Sequence, residues 1–179
     1  MRLIGIDPGS NTLGVAVYII DDNFSITSIK SFVINTTAIE ADTKASKLSR
    51  KLLYTRKTLK TIFGEADDII GLSLEAPFIY GTRPAAVIPL AAMKGIIEEL
   101  ILYRNPRVLL RAISPSVVKK SIGVHGNSGD KEDILRALKE VQEITSKIDV
   151  DVLTDHEWDA ITIGYELLNY LRNNPYVML

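Results

Sequence analysis

Leu3-Ile4-Gly5-Ile6-Asp7-Pro8-Gly9-Ser10 opens the chain, and a second apolar run, Leu13 to Ile20 with Gly14 inside it, follows at once. Leu3–Ile6 is short and continuously apolar, the pattern of a buried strand, and it places Asp7 at the strand's C-terminal tip. The Pro8-Gly9 turn then reverses the chain into the second strand. A strand-tip carboxylate costs desolvation energy unless a lysine, a helix N-terminus or a divalent metal stands beside it. Asp, Pro and Gly also build ordinary turns, so Asp7 alone fits a turn acid bonded to its own backbone equally well. The rest of the chain has to decide between the two.

Working outward, Ile26–Ile34 reads as a third strand. The Asp21-Asp22-Asn23 turn before it predicts an antiparallel hairpin. An amphipathic helix is predicted over roughly residues 43–63, with Leu48, Leu52, Thr55, Leu59 and Ile62 as its buried stripe and Lys47, Arg50, Tyr54 and Lys57 opposite. A fourth strand, Ile69–Leu74, ends in Glu75 and is closed by Pro77. Pro84 suits the first turn of the next helix, which Pro89 should kink or delay and in which Gly95 would permit close packing. Arg107–Ile113 reads as a fifth strand. Two helices follow, one capped by Asp130 with Ile134, Leu138 and Val141 on one face. The other starts near Thr154, with Glu157 at capping-box spacing and Ala160, Ile163, Leu167 and Leu171 inward. The fold class is therefore α/β, a five-stranded mixed sheet (three antiparallel strands first, then parallel) flanked by helices.

At 179 residues the chain predicts one domain over residues 1–174, with a short frayed tail at 175–179. It has no cysteine, so a metal would be held by Asp, Glu or His, which selects hard cations such as magnesium or manganese. No apolar stretch approaches the roughly 20 residues of a membrane span. The N-terminus also lacks a signal-peptide pattern, so a cytoplasmic protein with no membrane partner is expected. The net charge is −1, yet the charges are segregated. No acid lies between Asp42 and Glu65, where Lys44, Lys47, Arg50, Lys51, Arg56, Lys57 and Lys60 all fall. A second acid-free window, Leu100–Gly129, holds Arg104, Arg107, Arg111, Lys119 and Lys120. Asp149, Asp151, Asp155, Glu157 and Asp159 crowd a stretch without Lys or Arg. Such segregation can create a positive surface for DNA on a nearly neutral protein.

If the strands ending in Asp7 and Glu75 are parallel neighbours joined by the long helix, both carboxylates leave the same edge of the sheet. His156 and Asp159 share a face of the last helix's first turn, although Asp155 could equally pair with Asp159. Carboxylates converging without a counter-charge raise one another's pKa, and divalent metals relieve that repulsion. Two metals about 3.5–4 Å apart form the clamp of phosphodiester hydrolysis. His125 lies in the glycine-rich stretch 123–129, read as a DNA-facing flap.

Ile4-Gly-Ile-Asp-Pro-Gly-Ser10 with Gly14, then Leu74-Glu75-Ala-Pro-Phe78, Val118-Lys119, Lys131 and His156-Glu-Trp-Asp159-Ala160 resemble the RuvC family of Holliday junction resolvases, in order and over nearly the whole chain. The resemblance implies an RNase H-like fold and a homodimer dependent on Mg2+ or Mn2+, with two ions per site, that nicks opposed strands of a four-way junction. It implies Asp7, Glu75, His156 and Asp159 as metal ligands and Phe78 as an aromatic stacking on junction bases. It also implies phosphate contacts from Lys131 and from Lys119 or Lys120, which spacing does not separate. Lys47, Arg50 and Lys57 are the added DNA-binding candidates. Relatives are usually basic, so a pI of 6.1 predicts salt-sensitive or patch-confined binding. Residues 79–86 depart from the family's loop, and no base-sequence preference carries over. The rivals are a broader flap and fork nuclease, a non-catalytic junction-binding module, and an actin-like nucleotide-binding protein. The last needs a duplicated domain for which this chain has no room, so no nucleotide cofactor is expected.

Overall fold

The computed structural model describes residues 1–76, 84–124 and 131–178. Strands β1 (Arg2–Asp7), β2 (Thr12–Ile20) and β3 (Ile26–Asn35) form an antiparallel meander. At the β2–β3 turn the Asp21 carboxylate accepts from the amides of Asn23 and Ser25 at 2.9 and 2.8 Å, which fixes the hairpin. Helix α1 (Lys47–Phe63) crosses to β4 (Ile69–Glu75), and α2 (Pro84–Arg104) to β5 (Leu109–Ile113). Both strands lie parallel to β1, giving the order β3-β2-β1-β4-β5. Helices α3 (Pro115–Ser121), α4 (Lys131–Glu140), α5 (Gln142–Thr145) and α6 (Asp155–Asn173) complete the chain, which ends in a 3-10 turn at Pro175–Met178.

The sheet separates two cores. Ile4, Ile6, Val15, Leu72 and Leu74 pack with Leu59, Phe63 and Ile97 on the α1–α2 side. Leu3, Ala16 and Tyr18 pack with Leu167, Leu168 and Leu138 on the α6 side. Strand alternation then assigns Gly5 and Asp7 of β1, with Gly71, Ser73 and Glu75 of β4, to the α6 face. That face is small where α6 crosses it. A Cβ at Gly5 would lie 2.2 Å from the Ala160 carbonyl oxygen, and one at Gly164 of α6 would lie 2.4 Å from the Tyr18 ring. The Ser73 hydroxyl donates to the Ile163 carbonyl at 3.0 Å, and Tyr18 donates to that of Ile161 at 2.6 Å. The helix therefore rests almost on the backbone of the sheet.

Several expectations change. Helix α1 starts at Lys47 rather than Thr43, because Ser46 caps it through the Ser49 amide. Its buried residues are Lys51, Thr55, Leu59 and Phe63, with Leu48, Leu52 and Ile62 only half-buried. Pro89 sits inside a continuous α2 instead of delaying it, and Gly95 is exposed, with nothing within 4 Å of a Cβ built there. Strand β5 begins at Leu109, since Asn105 holds the preceding turn through the Arg107 amide and the Ile69 carbonyl. Helices α3 and α5 are additions, and α4 ends at Glu140, before Val141. The capping role of Asp130 and the position of His125 lie outside the described residues.

Candidate active site at the β1–β4 edge

The parallel ladder between β1 and β4 closes with the pair Ile6–Leu74, so the next residues, Asp7 and Glu75, leave neighbouring strands side by side. Across β1's other ladder Asp7 faces Gly14, and a Cβ at Gly14 would lie 2.0 Å from the His156 carbonyl oxygen. The missing side chain lets the first turn of α6 descend onto the hairpin. That turn is fixed independently. Glu157 accepts from the Thr154 amide and hydroxyl, both at 2.9 Å, and from the Ser31 hydroxyl of β3 at 2.7 Å. The capping box read from the sequence is thus present and also tethers α6 to the sheet edge.

So placed, His156 Nδ1 lies 2.8 Å from Asp7 Oδ2. A carboxylate accepts, so Nδ1 is the donor of this bond. Burial, then the negative charges of Asp7 and Asp159, push Glu75 up to about 7, against a smaller opposite pull from Lys119. Burial and Asp7 push Asp159 up to about 6, with Lys131, His156 and Lys119 working against the rise. Three carboxylates therefore share one partly desolvated space with too little positive charge to match them.

That surplus, on hard oxygen donors beside an imidazole, is the donor chemistry of a Mg2+ or Mn2+ site. Among the described residues no three His, Asp or Glu side chains are already closed around one point. The four residues fit a divalent ion by charge and donor type rather than as a finished cage.

The remaining candidates divide. Lys119 on α3 bears on both Glu75 and Asp159, whereas Lys120 lines a separate surface cavity with Ser121, Glu166 and Tyr170. Lys131, at the start of α4, pairs with Asp155, whose other oxygen accepts from the His156 amide at 3.0 Å. Asp155 is thereby occupied outside the acid cluster, and the sequence alternative of an Asp155–Asp159 pair is not the arrangement found. Lys47 pairs with Glu40 at 2.8 Å, and Arg50 pairs with Asp42. Acids just outside the acid-free window thus answer part of it, while Lys57 has no ion pair among the described residues. Arg111 of the second window packs 3.4 Å from the Tyr170 ring centre and reaches Glu166 at 3.4 Å, a role inside the fold. Phe78 lies outside the described residues.

Two features were not anticipated. The glycines at 5, 14 and 164 are spacers for α6, a role that needs knowledge of which surfaces touch. Lys51 faces inward and donates to the Asn11 side chain.

Comparisons with known proteins agree with this geometry. The model of a family described as crossover junction endodeoxyribonuclease RuvC matches residues 3–164. The protein of that name from Helicobacter pylori strain Shi470 is 30% identical over 93% of this chain and 98% of its own length. Among solved structures, Thermus thermophilus RuvC in complex with a Holliday junction substrate superposes with a TM-score of 0.71 at 15% identity, covering 97% of both chains. The yeast mitochondrial Holliday junction resolvase Ydc2 gives 0.62 at 16% identity, over 99% of this chain and 86% of its own.

Proposed function

The chain belongs to the RuvC family of crossover junction endodeoxyribonucleases, and we propose that it cuts four-way DNA junctions by hydrolysis dependent on Mg2+ or Mn2+, as a homodimer making paired nicks. The observation that carries this reading is the adjacency of Asp7 and Glu75 at parallel strand ends, with Asp159 close enough to repel both. Asp7, Glu75, Asp159 and the Nε2 of His156 are the groups that would hold the metal. When bound, the metal supplies an activated water and positive charge for the leaving oxygen. The Nδ1–H of His156 orients the Asp7 carboxylate. Lys119 offsets negative charge at Glu75 and Asp159 and is placed to meet a phosphate brought to them. Lys131 stands at the same helix start through Asp155.

Two symmetric cuts call for two active sites, hence the homodimer. Ile88, Leu102 and Tyr103 on α2 are exposed apolar side chains, which supports a protein surface there. Residues 1–174 act as one nuclease domain in this reading, and Phe78 is proposed as the aromatic contact to junction bases. The test is a cleavage panel of four-way junction, flap, fork and linear duplex under one salt condition. Preference for the junction supports the proposal. Equal cutting of flaps and forks makes the chain a general branched-DNA nuclease with the same chemistry.

A further inference from the structure

Outside the acid cluster, two charged side chains are buried among the described residues: Glu166, which pairs with Arg111 inside the fold, and Lys51, which has no carboxylate bonded to it. Lys51, in the second turn of α1, is 8% exposed and donates from its ammonium to the side-chain oxygen of Asn11. Asn11 belongs to the turn that leaves Asp7, between the end of β1 and the start of β2 at Thr12. Its carbonyl is held as well, accepting from the Thr36 amide at 2.7 Å and the Thr36 hydroxyl at 2.9 Å. Thr36, just past β3, is 2% exposed. The turn is thus gripped at a single residue from two separate elements.

An ammonium this buried, bonded to a neutral amide and felt by the exposed Glu40 carboxylate only through its charge, is a costly arrangement. A carboxylate would cancel its charge, and an apolar side chain would avoid the burial altogether. The charges that shift Glu75 and Asp159 are those of Asp7, Asp159, His156, Lys119 and Lys131, and Lys51 is not one of them. The path the geometry offers from Lys51 to the acid cluster is mechanical, through the turn. The turn has little slack to absorb movement, since a Cβ at Gly9 would lie 1.9 Å from the Thr12 carbonyl oxygen. Asp7 stands at one end of this turn and Gly14, beneath His156, just beyond the other. A displaced turn would shift the carboxylate relative to its imidazole partner.

We propose that Lys51 is a positioning residue: its bond to Asn11, opposed by Thr36, fixes the β1–β2 turn and with it the placement of Asp7 against the first turn of α6. The rate consequence rests on the nuclease reading above, while the mechanical consequence does not.

The experiment compares Lys51→Met, Lys51→Arg, Asn11→Ala and the Lys51→Met/Asn11→Ala double variant by two readouts. One is hydrogen exchange at the Thr36 amide, which reports the clamp without any substrate. The other is kcat and KM on a four-way junction with Mg2+. In Lys51→Met, exchange at Thr36 rises about tenfold or more. In the same variant kcat falls about 10–100-fold, with KM and its salt dependence unchanged. Lys51→Arg, which keeps a donor, recovers most of both. Asn11→Ala reproduces the loss, and the double variant is no worse than either single one.

Wild-type exchange together with wild-type kcat in Lys51→Met overturns the proposal. So does a raised KM with a salt slope smaller by about one at unchanged kcat, which would make Lys51 a phosphate contact. Should Lys51→Met fail to fold, Asn11→Ala, in an exposed turn, carries the same two readouts. A wild-type chain that cuts no DNA defeats the nuclease reading, and exchange at Thr36 still decides the clamp.

Discussion

Asp7 Oδ2 and His156 Nδ1 stand 2.8 Å apart although 149 positions separate them in the chain. The bond joins the first strand to the last long helix at the candidate site. With Asp7 as acceptor, the role proposed for the imidazole is first that of an orienting group for the carboxylate. His156→Ala is expected to lower cleavage about 10–100-fold, the usual effect of losing such a support, while junction binding measured by gel shift stays intact.

The pKa displacements at Glu75 and Asp159 give a stability signature. Glu75 is raised from 4.5 to about 7 and Asp159 from 3.8 to about 6, mainly by burial. Between these limits the unfolded chain has released protons that the folded chain retains. Stability therefore falls as pH rises through the window from about 4 to 7 and is lowest, from these groups, above it. Glu75→Gln and Asp159→Asn should each raise the metal-free Tm at pH 8, by an amount equivalent to roughly 1–2 kcal/mol after solvent screening, and flatten the pH dependence. Mg2+ or Mn2+ should stabilise the wild-type protein at pH 8 far more than at pH 5, and should do little for either variant.

Gly14 makes a steric claim. A Cβ there meets the backbone oxygen of His156 at 2.0 Å, so Gly14→Ala must lift the start of α6. A stability loss of about 1–3 kcal/mol is expected from overpacking, with kcat reduced about 100-fold by the displaced carboxylate partner. Gly95→Ala is the control. Its Cβ meets nothing within 4 Å, and it should gain about 0.5–1 kcal/mol with unchanged cleavage. Thermal melts and single-turnover rates on the two variants check both statements.

Lys119 pulls down both raised carboxyls. Lys119→Met lets them rise further, so the acidic limb of the pH–rate profile should move to higher pH, while above that limb the larger surplus of negative charge should lower the Mg2+ needed for half-maximal cleavage. Lys120→Met, on the side of α3 that faces Glu166 and Tyr170, should leave both unchanged.

The sheet and the acid pair were legible because their signals are local. Leu3–Ile6 and Ile69–Leu74 are apolar runs that each end in one carboxylate, and a long helix between them dictates parallel neighbours. The capping box at Thr154 and Glu157 was equally local. Relations between distant surfaces were not legible. Gly14 reads as a turn residue until His156 is known to lie above it. Lys51 reads as one more cation on a basic helix, because periodicity could not foresee that Asn11 of the β1–β2 turn offers it an acceptor. The stripe of α1 shifted for the same reason, toward Lys51 and Phe63. Short helix α3 follows Ser114-Pro115, a start signal too brief to stand out beside the fifth strand.

The measurement that tests the central claim most directly is cleavage of an end-labelled four-way junction by the wild-type chain and Asp7→Asn, in Mg2+, Mn2+ and EDTA, with gel shift in parallel. Paired symmetric nicks in either metal, absent in EDTA and in an Asp7→Asn variant that still binds the junction, are the expected result. Nicks that persist in EDTA, or that Asp7→Asn makes at the wild-type rate, would contradict a metal-dependent site built on Asp7.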